Sequence, residues 1–135
     1  MSMLNQSSQQ QGGNMREITF AQAINEAIAE EMRRDPTIYV MGEDVAEAGT
    51  PFKVLSGLVE EFGTKRIIDT PISEPGFAAI GVGSAMTGLR PLIDIMFGDF
   101  MTLVMDQMVN QAAKIHYMSG CGYDHRPYAE CRRWI

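Results

Sequence analysis

The sequence predicts an α/β fold in which a parallel β-sheet is flanked by helices. Three short apolar runs alternate with segments of helical periodicity, in the order β-α-β-α-β-α after one opening helix. This alternation is typical of parallel sheets, whose strands are joined by helical crossovers. The chain has 135 residues, of which 45% are hydrophobic. That is enough for the core of a single domain.

The opening helix is marked at both ends. Thr19 and Gln22 have the spacing of a capping box. Apolar residues then recur at helical spacing as far as Arg34, and Asp35-Pro36 ends the helix because the residue before proline disfavours the helical conformation. The apolar run Ile38–Met41 follows and is suited to a buried parallel strand.

The middle of the chain continues the alternation. Residues 45–53 contain glycine and proline and predict a loop. A short helix is expected over residues 55–62, and Arg66–Asp69 is the second strand. The segment from Gly76 to Gly88 is helical in character and rich in small residues. A phosphate loop at Gly81-Val82-Gly83 is a weaker interpretation, since a lone G-x-G is not specific and small residues also allow close helix packing.

The last elements are a strand and a long helix. Arg90-Pro91 ends the preceding helix, and Leu92–Phe97 is predicted as the third strand. Phe100–Met118 is predicted as one continuous helix, largely buried in this chain or against a partner. Its apolar stripe comprises Val104, Met108, Ala112 and Ile115, widened by Met101, Met105 and Val109.

The two ends of the chain differ from the segment between them. Residues 1–15 are polar and are expected to be disordered, with either Met1 or Met15 as the start. Residues 16–120 form the predicted domain. Residues 121–135 show no clear period and form an atypical tail.

The bulk properties exclude several classes of function. A net charge of −6 argues against a nucleic-acid-binding surface. No apolar run is long enough for a membrane span, and no secretory signal is recognisable. Cys121 and Cys131 form no disulfide framework, and their spacing from His125 matches no usual zinc site, so we expect a cytoplasmic protein without a metal.

Glu74 is the candidate catalytic residue. It lies where the second strand ends and the next helix begins, the place where open α/β sheets bind their ligands. A purely structural role is the alternative, because an acid in the first helical turn offsets the helix dipole. Ser73 or Thr70 could cap the same helix.

The sequence resembles a known family in several ungapped pieces that occur in the right order. It is similar to the beta subunit of the thiamine-diphosphate-dependent 2-oxo acid dehydrogenases, over roughly residues 16–120. The pyruvate and branched-chain enzymes and their acetoin-cleaving relatives belong to this group. The matching pieces are Met41 to Val45, Lys65 to Glu74, Gly88 to Pro91, Asp106-Gln107 with Asn110 to Lys114, and Tyr117 to Gly120.

The resemblance implies a transketolase-type pyrimidine-binding domain and a role for four residues. Glu74 would hydrogen-bond and activate the aminopyrimidine ring of thiamine diphosphate. Ile72 and Phe100 would contact the same ring, although Phe100 could equally be a core residue. Glu43 would belong to a polar passage between paired active sites, with an exposed acid as the alternative.

The resemblance also implies partners and shows what is absent. The family's beta chain is over twice as long, so the domain is incomplete and lacks a catalytic histidine that neither His116 nor His125 replaces. An alpha subunit would hold the diphosphate and magnesium in an α2β2 heterotetramer. The acyl group would pass to a lipoyl-bearing acyltransferase.

We expect the chain alone to be inactive. An inactive fragment that only pairs with an alpha subunit, an acetoin-cleaving relative, and another transketolase-like enzyme are the alternatives. The tail resembles a truncation or a shifted frame, and the sequence does not specify the oxo acid.

Overall fold

The computed structural model describes residues 16–120. The predictions for residues 1–15 and 121–135, including those for Cys121, His125 and Cys131, lie outside the described residues. None of the helices within 16–120 has the length and apolar character that crossing a membrane requires.

Helices and strands alternate along the described chain. The elements are α1 Phe20–Arg34, β1 Ile38–Gly42, α2 Leu58–Phe62, β2 Ile67–Asp69, α3 Glu74–Met86, β3 Arg90–Ile93, a 3-10 turn Gly98–Phe100, α4 Met101–Met105, a π-helical segment Asp106–Ala112, and α5 Ile115–Met118. The Thr19 side chain and the Gln22 side chain cap α1 reciprocally, so the predicted capping box is confirmed.

The strands form a parallel sheet in the order β2-β1-β3, which confirms the predicted class. Central strand β1 is buried along its whole length. Met41 pairs with Ile68 of β2 and with Ile93 of β3, so the three strands end at the same edge. That edge therefore collects the residues that follow each strand.

The two faces of the sheet carry separate apolar clusters. One face packs on α1 and α2, through buried residues that include Met32, Val40, Leu58 and Ile67. The other face packs on α3, where Phe77 contacts a cluster that contains Tyr39 and Met41, with Ile68, Ile93 and Ile95 at its margin. Because strand residues alternate between faces, the positions that face α3 are defined along every strand.

The third strand lies earlier in the chain than predicted. It spans Arg90–Ile93, whereas Leu92–Phe97 was expected. The register of pairing with β1 sets these bounds. Ile38 pairs with Arg90 and Met41 pairs with Ile93, so the residues after Ile93 lie beyond the paired part of β1. Pro91 is tolerated because β3 lies at the edge of this described sheet, where a strand can lack an N–H.

The predicted continuous helix from Phe100 to Met118 is interrupted. A 3-10 turn and α4 lead into the π-helical segment, where the Ala113 N–H donates to the Met108 carbonyl at 3.0 Å. From Val104 to Ala112 the predicted stripe is spaced by four residues, more than the 3.6 residues of an α-helical turn. The wider π-helical turn keeps these residues on one face. Val104 is buried, whereas Met105 and Val109 are half exposed within the described chain.

Helix α3 starts at Glu74, two residues earlier than the predicted Gly76. Within the described residues, the close approach at Gly81 is to a strand and not to a second helix. A Cβ atom at Gly81 would lie 2.8 Å from the Ile93 Cδ1 atom, so Gly81 allows α3 to approach strand β3 closely.

Candidate functional site

The carboxyl edge of the sheet gathers polar residues from all three strands. Glu43 follows β1, Thr70 follows β2 and Asp94 follows β3. The Thr70 N–H donates to the Gly42 carbonyl at 2.9 Å, and the Asp94 N–H donates to the Met41 carbonyl at 2.9 Å, so the ladder extends one step past the strands. Ligands of parallel sheets bind at this edge.

Glu74 is buried at the start of α3, with only 8% of its surface exposed. Its carboxylate accepts no hydrogen bond from any residue within 16–120. Ser73 is the N-cap residue of α3, but its side chain makes no capping hydrogen bond. The Glu74 side chain is therefore not used by a cap or an ion pair among the described residues, and it is available to a molecule bound at this edge.

Glu43 lies close to Glu74. One of its carboxylate oxygens, Oε1, is buried and has no hydrogen-bond partner in the described chain. Burial raises the pKa of the Glu43 carboxyl, and the neighbouring charges of Glu74 and then Asp44 raise it further. The alternative of an ordinary exposed acid is wrong for this oxygen atom.

Thr70 brings a third buried polar atom to the same edge. Its Oγ1 atom has no hydrogen-bond partner among residues 16–120, so Thr70 does not cap α3. The sequence indicated Thr70 only as an alternative cap. Its position directly after a strand, in register beside Glu43, was the signal that could have identified it.

Two further acids at this edge have other roles. The Asp69 Oδ1 atom accepts a hydrogen bond of 2.8 Å from the Ala46 N–H and so fixes the loop that follows β1. Burial raises the pKa of the Asp94 carboxyl, which the sequence analysis did not single out. A Cβ atom added at Gly42 would lie 2.8 Å from the Asp94 carbonyl oxygen, so the two backbones are tightly packed there.

Exposed apolar side chains accompany these acids. Ile72, in the turn between β2 and α3, has 83% of its surface exposed. Phe100 is partly buried and makes an edge-to-face contact with Phe97 at 5.7 Å between ring centroids. Phe97 in turn contacts Phe52 at 5.9 Å. Ile72 therefore adds exposed apolar surface two residues before Glu74, whereas Phe100 belongs to a row of aromatic contacts with Phe97 and Phe52.

The family described as transketolase, pyrimidine binding domain, matches residues 16–130. The chain belongs to this family.

Similar proteins share about half of the aligned residues with this pyrimidine-binding domain. The chain is 50% identical over 109 residues to the pyruvate dehydrogenase E1 component subunit beta of Rhizobium meliloti (strain 1021). The aligned region covers 81% of this chain and 24% of that protein. The chain is 53% identical over 104 residues to the corresponding subunit of Rickettsia bellii (strain RML369-C), covering 77% and 32%. The mitochondrial subunit of Homo sapiens is 49% identical over 104 residues, covering 77% and 29%.

The chain thus spans between 24% and 32% of the length of the relatives it matches. Within this pyrimidine-binding domain, the structure brings Glu43 and Glu74 together and adds Thr70 to them. The ring contact of Phe100 is with Phe97, and Ile72 projects from the turn beside Glu74. The roles assigned to these residues by resemblance stay predictions.

An apolar cavity of the pyrimidine-binding domain lies away from this edge. It has a volume of about 270 Å³ and separates α3 from β3, α4 and the π-helical segment. Its lining is apolar apart from Gln107, and none of the candidate acids contributes to it. The cavity therefore lacks the groups that acid–base chemistry requires.

Proposed function

We propose that this chain is the cofactor-pyrimidine portion of the beta subunit of a thiamine-diphosphate-dependent 2-oxo acid dehydrogenase of the pyruvate dehydrogenase type. The observation that carries the proposal is the buried Glu74 carboxyl at the carboxyl edge, without a hydrogen-bond partner among the described residues. Membership of the pyrimidine-binding family and the names of the relatives support the choice of cofactor and enzyme.

The residues at the edge fit an aminopyrimidine. Such a ring offers nitrogen acceptors, an amino donor and two apolar faces. Glu74, buried and without a hydrogen-bond partner among the described residues, can donate to a ring nitrogen as a carboxylic acid, or accept from a protonated ring nitrogen as a carboxylate. Ile72 and Phe100 supply apolar surface for the faces of the ring. This match of polar edge and apolar face is what a small-molecule site requires.

The protein's contribution to the chemistry is the control of one proton. Burial and the nearby Glu74 both disfavour the charged form of Glu43. Glu43 therefore retains a proton at higher pH than an isolated glutamate, and the two acids can exchange a proton with a bound base. When bound, thiamine diphosphate supplies the carbanion chemistry that decarboxylates a 2-oxo acid, while the protein orients it. Glu74 holds or releases a proton at the ring nitrogen.

The remaining parts of the enzyme would come from other chains or segments. We propose an alpha subunit that holds the diphosphate and magnesium, assembled with the full-length beta chain as an α2β2 heterotetramer. The acyl product would pass to a lipoyl-bearing acyltransferase. The relatives are named as beta subunits of an E1 component, which supports the existence of a companion subunit.

A second candidate is a non-catalytic chain that only pairs with an alpha subunit. The two candidates differ in whether the assembled complex binds thiamine diphosphate and turns over.

The test compares two first-turn acids in a complex with an alpha subunit. Glu74→Gln removes the carboxyl group that can donate or accept a proton. Glu60→Gln is the control, because Glu60 lies in the first turn of α2 but is exposed. Thiamine diphosphate binding is measured by calorimetry and 2-oxo acid decarboxylation by carbon dioxide release. We expect Glu74→Gln to lower turnover by about 100-fold or more, in the range of lost acid–base catalysis, with assembly and the control unchanged.

Two results decide between the candidates. Near-normal turnover of the Glu74→Gln complex would refute the role of Glu74. A wild-type complex that assembles but does not bind thiamine diphosphate would favour the non-catalytic chain.

A further inference from the structure

Thr70 and Glu43 are neighbours across the edge of the sheet. Gly42 pairs with Asp69 at the end of the β1–β2 ladder, and the Thr70 N–H donates to the Gly42 carbonyl at 2.9 Å. Thr70 and Glu43 are therefore the next residues in the same register, beyond the last pair.

Strand alternation directs both side chains toward α3. Met41 and Ile68 belong to the cluster that packs on Phe77 of α3. Glu43 follows Met41 by two residues and Thr70 follows Ile68 by two, so both side chains return to the same face. Helix α3 begins on that face with Glu74, which agrees with the electrostatic effect of Glu74 on Glu43.

Both side chains carry a buried oxygen without a partner in the described chain. These atoms are Oγ1 of Thr70 and Oε1 of Glu43. A hydroxyl can donate and a carboxylate can accept, so the two atoms are complementary, yet they do not bond to each other directly. Buried polar atoms are normally satisfied by protein or by ordered water, and a single water with two polar partners would satisfy both.

We propose that Thr70 is a positioning residue that holds the Glu43 carboxylate beside Glu74 through one ordered water. A hydrogen bond to the charged form of Glu43 stabilises that form. The Glu43 carboxylate then stays fixed next to Glu74, the residue that the proposed function assigns to the pyrimidine ring. This last consequence rests on the proposed function, whereas the link between Thr70 and Glu43 does not.

The other charged groups around Glu43 do not substitute for Thr70. Glu74 faces it from α3, and Asp44 follows it in the chain, and both disfavour its charged form. The Asp69 Oδ1 atom is engaged by the Ala46 N–H. Thr70 is thus the neighbouring side chain from β2 that can donate.

The test titrates Glu43 in the 135-residue chain without cofactor, by carbon-13 NMR of its carboxyl group. A Glu43→Gln variant assigns the signal. Thr70→Val keeps the side-chain shape and removes the hydroxyl, Thr70→Ser keeps the hydroxyl, and Thr102→Val is the control with an exposed hydroxyl. We expect Thr70→Val to raise the titration midpoint of Glu43 by about half a pH unit or more, because the charged form loses a donor.

The conservative variant separates positioning from packing. Thr70→Ser and the control should titrate like the wild type. An unchanged midpoint in Thr70→Val, or an equal shift in Thr70→Ser, would overturn the proposal. The wild-type chain allows a second measurement that needs no substitution. We expect a nuclear Overhauser effect between a bound water and the Thr70 methyl group, and its absence would also overturn the proposal.

The titration needs no thiamine diphosphate. Its failure would leave the Glu74→Gln experiment unaffected, and loss of the proposed function would leave the titration interpretable.

Discussion

Arg66 ties the sheet to the first helix, and its replacement tests how the fold is held together. Its guanidinium Nη2 donates to the carbonyls of Met32, Asp35 and Ile38 at 2.8, 2.9 and 2.7 Å, and its Nε donates to the Ile38 carbonyl at 2.9 Å. The guanidinium also lies over the Phe62 ring, 5.1 Å from its centroid. The Met32 and Asp35 carbonyls lie at the end of α1, where the last carbonyls of a helix have no partner within the helix. The Ile38 carbonyl lies at the start of β1.

Arg66→Met retains the apolar stem and removes every donor. A hydrogen bond to a charged group contributes about 1.5–3 kcal/mol, and three carbonyls lose one. Asp35 is only partly buried, so water can replace the hydrogen bond to its carbonyl, which offsets part of the loss. We therefore expect the free energy of unfolding to fall by about 3 kcal/mol, a large part of the roughly 5–15 kcal/mol typical of a domain.

The measurement is urea unfolding of the 135-residue chain, followed by far-ultraviolet circular dichroism. Arg34→Met is the matched control, because the Arg34 side chain is 74% exposed and pairs only with Glu31 on the same helix among described residues. Such a surface pair contributes less than about 1 kcal/mol. A loss at Arg66 no greater than the loss at Arg34 would refute the assignment of Arg66 as the clamp between α1 and the sheet.

Three further substitutions test the packing and the charge of the fold. Gly42→Ala would place a Cβ atom 2.8 Å from the Asp94 carbonyl oxygen, so we expect a loss of about 1–2 kcal/mol in thermal unfolding. Gly83→Ala meets no atom within 4 Å and should stabilise α3 by up to about 1 kcal/mol, and equal effects of the two substitutions would contradict this reasoning. Hydrogen bonds from the Thr37 hydroxyl and N–H, and then from Arg90, hold the Asp35 pKa below its ordinary value. The stability from ionised Asp35 is therefore present above its unfolded pKa and lost as the pH falls through its folded pKa. The difference in unfolding free energy between wild type and Asp35→Asn should be constant above about pH 5 and shrink in acid, and a difference independent of pH would exclude this account.

The sequence by itself determined the elements and their class. Periodicity and local chemistry fix such features, because they depend on residues close together in the chain. The capping box at Thr19, the α/β alternation and the position of Glu74 between β2 and α3 all follow from such neighbours. Resemblance then supplied the choice of Glu74, Ile72, Phe100 and Glu43, which local pattern alone could not rank.

Only the tertiary structure decided how these pieces meet. The third strand lies at Arg90–Ile93 and not at the predicted position, because its bounds depend on the register with β1. The last helix contains a π-helical segment where its apolar stripe follows the core. Strands that are distant in the sequence bring Glu74, Glu43 and Thr70 together, and the same packing buries Glu74. Parallel pairing brings together residues that no local pattern relates, and the polar edge of this domain consists of such residues.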